Sequence, residues 1–162
     1  MFATVVADRG LFIIERPGLM VTATVRSPDD DAYRAITRYQ LELARRDGRV
    51  SLLGVVPTFD GPMRATSAVR RECEQLVAAE RARFLGMAVA ITVDGITGML
   101  LRTAIAAMQF RSAIPRSSTA RTLEEAVHEL QSWPGQRDEL SNDVGLAASV
   151  VTALKPHGVV LG

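Results

Sequence analysis

The sequence is poor in the residues that build metal centres and disulfide frameworks. Its 162 residues contain one cysteine, Cys73, and two histidines, His128 and His157. A single cysteine cannot form an internal disulfide bond, and this set does not supply the four ligands of a usual zinc site. We therefore expect no disulfide, no metal and no cofactor.

The scarcity of cysteine and histidine also argues against a catalytic function. A catalytic nucleophile needs a base within hydrogen-bond reach and a third group that orients the base. We interpret His128 as a residue on a helix surface and His157 as part of a tail. Cys73 lies on the apolar stripe of a predicted helix, which is typical of a buried, inert thiol. We find no catalytic residue and expect a protein that is not an enzyme.

Aromatic residues and net charge are also low. Aromatic residues make up 5% of the chain, and 19 basic residues are matched by 18 acidic ones, for a formal net charge of +1. Nucleic-acid binding usually requires a concentrated positive excess or aromatic side chains on which bases stack. We therefore expect no nucleic-acid partner.

The sequence has no uninterrupted apolar run long enough to span a bilayer. Residues 84–110 are mostly apolar, but Asp94 and Arg102 interrupt them, and Asp94-Gly95 is a strong turn signal. The stretch predicts a buried strand followed by a buried helix, without membrane insertion. The first residues lack the basic leader and apolar run of a signal peptide, which favours a cytoplasmic location.

The chain does contain enough apolar residues, 48%, for one hydrophobic core. β-branched and alternating apolar stretches predict strands at residues 4–7, 11–15, 19–25, 50–56, 85–93 and 114–119. Helical spacing and capping signals predict helices from Ser27 to Gly48, from about Pro62, and over residues 96–108, 122–133 and 141–155.

This order of elements predicts a single-domain α/β fold. Strands that alternate with helices imply crossovers and a mixed, mostly parallel sheet, to which the N-terminal hairpin adds antiparallel strands. We assign residues 1–133 to the α/β domain. Residues 134–162 are predicted to be a linker and a C-terminal helical extension or tail.

Two segments carry a resemblance to a known family: FLGMAVAITVDGITGMLLRTAIAAMQF at 84–110 and PRSSTARTLEEAVHEL at 115–130. With the order of elements over about residues 3–133, they resemble the STAS-like proteins, relatives of the anti-sigma-factor antagonists and of the lipid-binding Sec14-type domains. The resemblance implies a sheet of four or five strands with helices on one or both faces, no cofactor, and function through binding. In the antagonist branch a serine of an Asp-Ser-Ser-Gly motif is phosphorylated. The matching loop here, residues 57–61, lacks that serine pair, and Thr58 alone could stand in.

The loops after two central strands are the candidate ligand- or partner-binding site. The carboxyl ends of neighbouring parallel strands lie side by side, so the two loops are expected to form one functional edge. The second loop follows a strand and opens a helix, where backbone amides can hold an anion, although a turn that simply needs glycine explains it as well. The candidate residues are Thr58, Asp60, Gly61, Asp94, Gly95, Thr97 and Gly98.

Two further surfaces are candidate partner-docking sites. Basic residues concentrate around the second helix, where they either face solvent, paired with neighbouring glutamates, or dock a protein. The C-terminal helix carries a stripe of small apolar residues suited to self-association or partner docking. The docking candidates are Arg64, Arg70, Arg71, Val144, Ala148, Val151 and Leu154.

Two functions remain open from the sequence. The first is a regulatory or scaffolding domain that acts through protein–protein interaction, with homo-oligomerisation as one form of it. The alternative is a carrier of a small molecule or lipid, which would need a roomy apolar pocket beneath the helix at 96–108, where Gly98 and several alanines leave space.

Deletion of residues 136–162 separates two roles of the C-terminal segment. If the segment is a docking tail, the shortened protein is expected to stay folded while its oligomeric state or partner binding changes. Unfolding of the shortened protein would instead place the C-terminal helix in the core.

Overall fold

The computed structural model describes residues 1–161, and within them the chain forms six strands and six α-helices. The strands are β1 (Ala3–Asp8), β2 (Leu11–Arg16), β3 (Leu19–Thr24), β4 (Val50–Val56), β5 (Phe84–Ile91) and β6 (Ser117–Ala120). The helices are α1 (Asp30–Asp47), α2 (Ser67–Ala79), α3 (Gly95–Phe110), α4 (Leu123–Gln131), α5 (Asp138–Ser141) and α6 (Leu146–Leu154).

The six strands form one mixed sheet in chain order, β1-β2-β3-β4-β5-β6. β1 pairs with β2 and β2 with β3 in antiparallel fashion, whereas β3 to β6 are parallel. The predicted fold class is confirmed: a single α/β domain with an antiparallel N-terminal hairpin, a parallel remainder and a C-terminal helix. The sheet has one or two strands more than the STAS-like resemblance implies.

The two faces of the sheet are covered by different parts of the chain. On the first face, side chains of β2, β3 and β4 such as Ile13, Met20 and Leu52 pack with residues of α1 and α2. On the second face, Val21 and Leu53 pack with α4 and with the segment that contains α5 and α6. Alternate residues of each strand point to opposite faces, so the continuous apolar runs of the central strands serve both cores.

Two helices begin later than the sequence predicts. α1 is capped by Asp29, whose carboxylate accepts a hydrogen bond from the Ala32 amide at 2.9 Å, and not by Ser27. α2 is capped by Thr66 and does not start at Pro62. The carboxylate of Asp30 accepts a hydrogen bond from the Thr66 amide at 2.6 Å, so the start of α1 fixes the start of α2.

The C-terminal segment packs into the domain and is not a free tail. The predicted helix at 141–155 is broken, because α5 and α6 are separate and Val144 between them is fully exposed. Leu146, Val150 and Leu154 are buried at helical spacing against the second face. Leu154, predicted to dock a partner, is therefore a core residue.

The connection from α4 to α5 is tied to the sheet. A Cβ atom on Gly86 of β5 would lie 2.9 Å from the Trp133 ring, so only glycine allows this close approach. The side-chain amide of Gln136 donates a hydrogen bond to the buried hydroxyl of Ser51 at 2.8 Å. The predicted boundary after Trp133 thus lies inside one continuous core.

The prediction that the helix at 96–108 is buried is wrong. Within α3 only Gly98 and Gln109 are buried, and large apolar side chains face solvent, with Ile96 74% and Phe110 93% exposed. A helix that is apolar all round normally lies inside a protein. Here the helix covers the outer part of the first face, and nothing in the described chain packs on its outer side.

Truncation of one buried leucine tests the packing of α6. Leu154→Ala should lower the free energy of unfolding by about 2–5 kcal/mol, because it leaves a cavity in the core. Val144→Ala is the matched control and should change the free energy of unfolding by about 0.5 kcal/mol or less, because the side chain is exposed. Urea denaturation measures both, and similar values for the two variants would contradict the packing.

The burial of this segment changes the expected result of the 136–162 deletion. The deletion removes Leu140, Leu146, Val150, Leu154 and Val159 from the second-face core. The shortened protein should therefore lose its cooperative unfolding transition, as followed by circular dichroism. A deletion variant that keeps the transition of the full chain would restore the docking-tail interpretation.

Candidate functional site

A large cavity lies between α3 and the first face of the sheet, with α1 and α2 on its other side. Its volume is about 750 Å³, it is partly open to solvent, and it is lined mainly by apolar side chains. Ligand pockets of proteins commonly measure about 300–1,000 Å³. The cavity therefore has the size and the lining of a small-molecule site.

The floor of the cavity is a row of small side chains across three strands. Thr22 of β3 pairs with Gly54 of β4, which in turn pairs with Val89 of β5. A Cβ atom on Gly54 would lie 3.2 Å from a Val89 methyl group, so this position in the middle of a strand admits only the smallest residue without adjustment. The missing side chain deepens the cavity at its centre.

The first turn of α3 is anchored to the end of β5. A Cβ atom on Gly98 would collide with the Val93 carbonyl oxygen, so glycine is required for the backbones to approach this closely. The guanidinium group of Arg102 donates hydrogen bonds to the carbonyl oxygens of Ile91 at 3.2 Å and Val93 at 3.3 Å. These contacts fix where the helix starts and turn its one charge inward.

The last turn of α3 is anchored to β6. The buried side-chain amide of Gln109 donates a hydrogen bond to the Ser118 carbonyl oxygen at 3.2 Å. The two buried positions, Gly98 and Gln109, are about 16 Å apart along the helix at 1.5 Å per residue. Between them Leu101, Ala104 and Ile105 form the roof of the cavity without filling it. The helix thus bridges the cavity between two fixed ends.

The wall formed by α1 and β3 is polar but uncharged. Tyr33, Thr37 and Gln40 recur at helical spacing on α1, and Thr22 and Thr24 alternate along β3 beside them. Burial raises the pKa of the Tyr33 phenol, and the nearby Glu74 carboxylate adds to the increase. The phenol is therefore a neutral hydrogen-bond donor at physiological pH.

The structure brings part of the predicted loop site to this cavity. Thr58 and Gly61, after β4, and Thr97, at the start of α3, all line it. The Thr58 hydroxyl donates a hydrogen bond to the Val25 carbonyl oxygen at 3.0 Å, so the loop is held against the end of β3.

The other predicted loop residues lie beside the cavity and have structural roles. Asp60 accepts a hydrogen bond from the Ser27 amide at 2.8 Å, and this bond, aided by Arg64, holds the pKa of Asp60 below its usual value. Asp94 precedes α3 without a side-chain bond to its amides, and Gly95 has a φ of 70°. The glycines at 95 and 98 serve the turn and the close approach described above.

The predicted docking residues are spread over different environments. Arg64 forms an ion pair with Asp60 at 3.1 Å, and Arg70 donates a hydrogen bond to the Ser67 hydroxyl at 3.2 Å. Arg71 is exposed. On α6, Ala148 is exposed and Val151 is half-buried. The glutamates near α2 mostly pair with α1: Glu72 with Arg34 and Glu80 with Arg45.

The residues considered for chemistry do not converge. His128 is exposed on α4, and His157 stacks on Phe12 with ring centroids 5.3 Å apart. Cys73 is buried on α2 and lines the cavity. Across residues 1–161, no three of the His, Cys, Asp and Glu side chains are placed to share a metal ion.

The helices of residues 1–161 are also too short or too polar to cross a bilayer.

A second cleft, of about 420 Å³, lies at the opposite end of the parallel strands. Arg49, Arg116, Pro134 and Gly135 are among the residues that line it. It is smaller and more open than the cavity beneath α3. We therefore take the larger cavity as the candidate functional site.

The polar wall was not predicted from the sequence. The signal was present, because residues 33, 37 and 40 recur at i, i+4 and i+7 on α1 and must share a face. Polar residues on one face of a surface helix usually point to solvent, and only the packing shows that these point inward.

Comparison with known proteins gives no relative for this chain: no family model, no curated protein and no solved structure matches it.

Two glycine substitutions test how α3 is anchored. Gly98→Ala should destabilise the protein more than Gly95→Ala, because its new methyl group collides with the Val93 carbonyl, whereas nothing lies within 4 Å of a Cβ at Gly95. The Gly95 variant should lose about 1–2 kcal/mol of unfolding free energy, from the left-handed backbone alone. Urea denaturation and hydrogen exchange of the α3 amides measure the difference. Equal losses would show that the close approach does not hold the helix.

Proposed function

We propose that this domain binds a small, largely apolar molecule in the cavity beneath α3 and acts as its carrier or receptor. The observation that carries the proposal is the cavity itself, about 750 Å³ in volume between the sheet and a helix that bridges it. At about 30 Å³ per molecule, this space corresponds to roughly 25 waters. Water held against apolar walls is readily displaced by an apolar ligand.

The free energy gained when an apolar ligand displaces this water is large enough to support binding. Transfer of apolar surface out of water contributes about 25 cal/mol per Å², so burial of about 200 Å² of ligand contributes roughly 5 kcal/mol. The roof residues Leu101, Ile105 and Met108 provide the matching apolar surface. Shape and polar contacts then decide which apolar molecule binds best.

The entrance lies beside the loop that follows β4. Phe59 and Met63 of this loop line the cavity and are both exposed to solvent. α3 is anchored near its ends and has only limited packing against the sheet at its middle. Movement of the loop or of the middle of α3 would therefore open a path for a ligand without disturbing the second-face core.

The carrier function also agrees with what the STAS-like resemblance implies through its Sec14-type branch. That resemblance rests on the sequence pattern alone, and the cavity supports the proposal independently of it.

One observation favours protein binding as a second candidate function. Three large apolar side chains on the outer side of α3 face solvent: Ile96, Met99 and Phe110. Exposed apolar patches of this kind commonly mark interaction surfaces. In a regulatory or scaffolding domain, a protein partner or a second copy would cover them, and Phe110→Asp would abolish that association without closing the cavity.

A tryptophan placed in the cavity tests the carrier function. Ala104 lines the cavity and Ala107 lies on the outer side of the same helix, so the matched variants are Ala104→Trp and Ala107→Trp. The uncharged fluorescent dye Nile red should bind to the parent protein and to the Ala107 variant with similar affinity. It should bind at least tenfold more weakly to the Ala104 variant, because the indole occupies the space.

Thermal unfolding of both variants controls for loss of structure. Failure of Nile red to bind to the parent protein, or equal binding to both variants, would contradict the proposal.

A further inference from the structure

The cavity has two chemically different walls. On one side, Leu101, Ala104, Ile105 and Met108 of α3 present only carbon and sulfur atoms. On the other side, α1 and β3 present four hydroxyl groups and one amide, from Thr22, Thr24, Tyr33, Thr37 and Gln40. A ligand that fills the cavity therefore meets an apolar surface along one side and hydrogen-bonding groups along the other.

The hydrogen-bonding groups of this wall have no partners within residues 1–161. None of the five side chains donates to or accepts from another protein group, in contrast to Thr58 and Gln109, which line the same cavity and are bonded to backbone carbonyls. Within residues 1–161, the fully buried side-chain polar atoms that lack a partner belong to Arg70, Glu80 and Ser118, so the polar atoms of the wall are accessible from the cavity. The hydroxyl and amide groups of the wall are therefore available to form hydrogen bonds with a molecule inside the cavity.

Thr37 is the most deeply buried of the five side chains. Its exposed fraction is only 5%, and it lies on the side of α1 that faces the sheet. Valine has nearly the same shape and would bury there without needing a hydrogen-bond partner. The Thr37 hydroxyl is accessible from the cavity, so water or a bound ligand there is its hydrogen-bond partner.

The charges at the site favour a neutral headgroup on the polar wall. Among residues 1–161, Arg26 and Glu74 are the only charged residues that line the cavity, and both are exposed at its rim. An ionised group on the polar wall would be removed from water, and Arg26 and Glu74, one of each sign and both exposed, compensate that cost only weakly. Neutral hydroxyl and amide groups suit a neutral partner.

We propose that the ligand is a neutral amphiphile, with an apolar body beneath α3 and an uncharged hydroxyl or carbonyl group bonded to Tyr33, Thr37 and Gln40. This inference rests on the proposed function, because it names the class of molecule bound in the same cavity. A long-chain alcohol is the simplest member of the class. The corresponding carboxylate, which has the same chain and a charged end, is the simplest molecule outside it.

Competition between two ten-carbon ligands tests the inference. Decanol and decanoate are each titrated at pH 8, where decanoate is ionised, against the parent protein loaded with Nile red. Decanol should displace the dye at a concentration at least fivefold lower than decanoate, because only decanol bonds to the wall without a buried charge. Equal displacement, or stronger displacement by decanoate, would overturn the inference while leaving the carrier function intact.

Two variants test where the headgroup lies. The double variant Tyr33→Phe, Thr37→Val removes two hydroxyl groups with little change of shape, and it should weaken decanol binding at least fivefold more than it weakens Nile red binding. Thr103→Val, on the exposed side of α3 and outside the cavity lining, is the control and should leave both affinities unchanged. Unchanged decanol binding in the double variant would overturn the placement of the headgroup. Failure of the parent protein to bind Nile red and both ligands would instead overturn the proposed function, and the inference with it.

Discussion

The parallel pairing of β3 to β6 in chain order is the constraint on which the rest of the structure depends. Each parallel neighbour must be reached by a crossover, and crossovers of one hand between strands added in one direction place their helices on one face. α1, α2 and α3 therefore all lie on the first face of the sheet. The second face is left for whatever follows β6, which is why α4 and the C-terminal helices form its cover.

The cavity results from the way in which the crossover helices α1, α2 and α3 share the first face of the sheet. Near the amino ends of the parallel strands, α1 and α2 pack tightly against residues such as Val50 and Phe84. Towards the carboxyl ends, the floor is reduced to threonine, glycine and valine, and α3 is fixed at its two ends instead of along its length. The space that remains lies at the edge where parallel α/β sheets commonly bind ligands.

Much of the fold could be predicted because its signals are local. The hairpin at the N-terminus, the runs of β-branched residues and the Thr122 cap of α4 each specify structure within a few residues, and the structure has them. Burial was harder to predict, because it depends on what else competes for the core. The apolar sequence of α3 predicted an interior helix, yet α3 packs only at the edge of the sheet and is largely exposed.

For the C-terminal helix, too, burial could not be predicted from the sequence, but here the helix is more buried than expected. The predicted stripe of Val144, Ala148, Val151 and Leu154 and the observed buried stripe of Leu146, Val150 and Leu154 have similar periods and share Leu154. Only the packing on the sheet decides between them. The polar wall of the cavity could not be predicted from the sequence for a related reason. Tyr33, Thr37 and Gln40 resemble a solvent-facing helix side until the fold turns them inward.

The cover of the second face also sets an order of events during translation. Chains are synthesised from the N-terminus, and the sheet can pair as soon as β6 has left the ribosome. Its second face is then covered only in part, by α4, while some thirty further residues are added, until α6 follows. During that interval the nascent chain leaves Val21, Leu53 and Trp133 incompletely covered and open to solvent or to any chaperone that meets it.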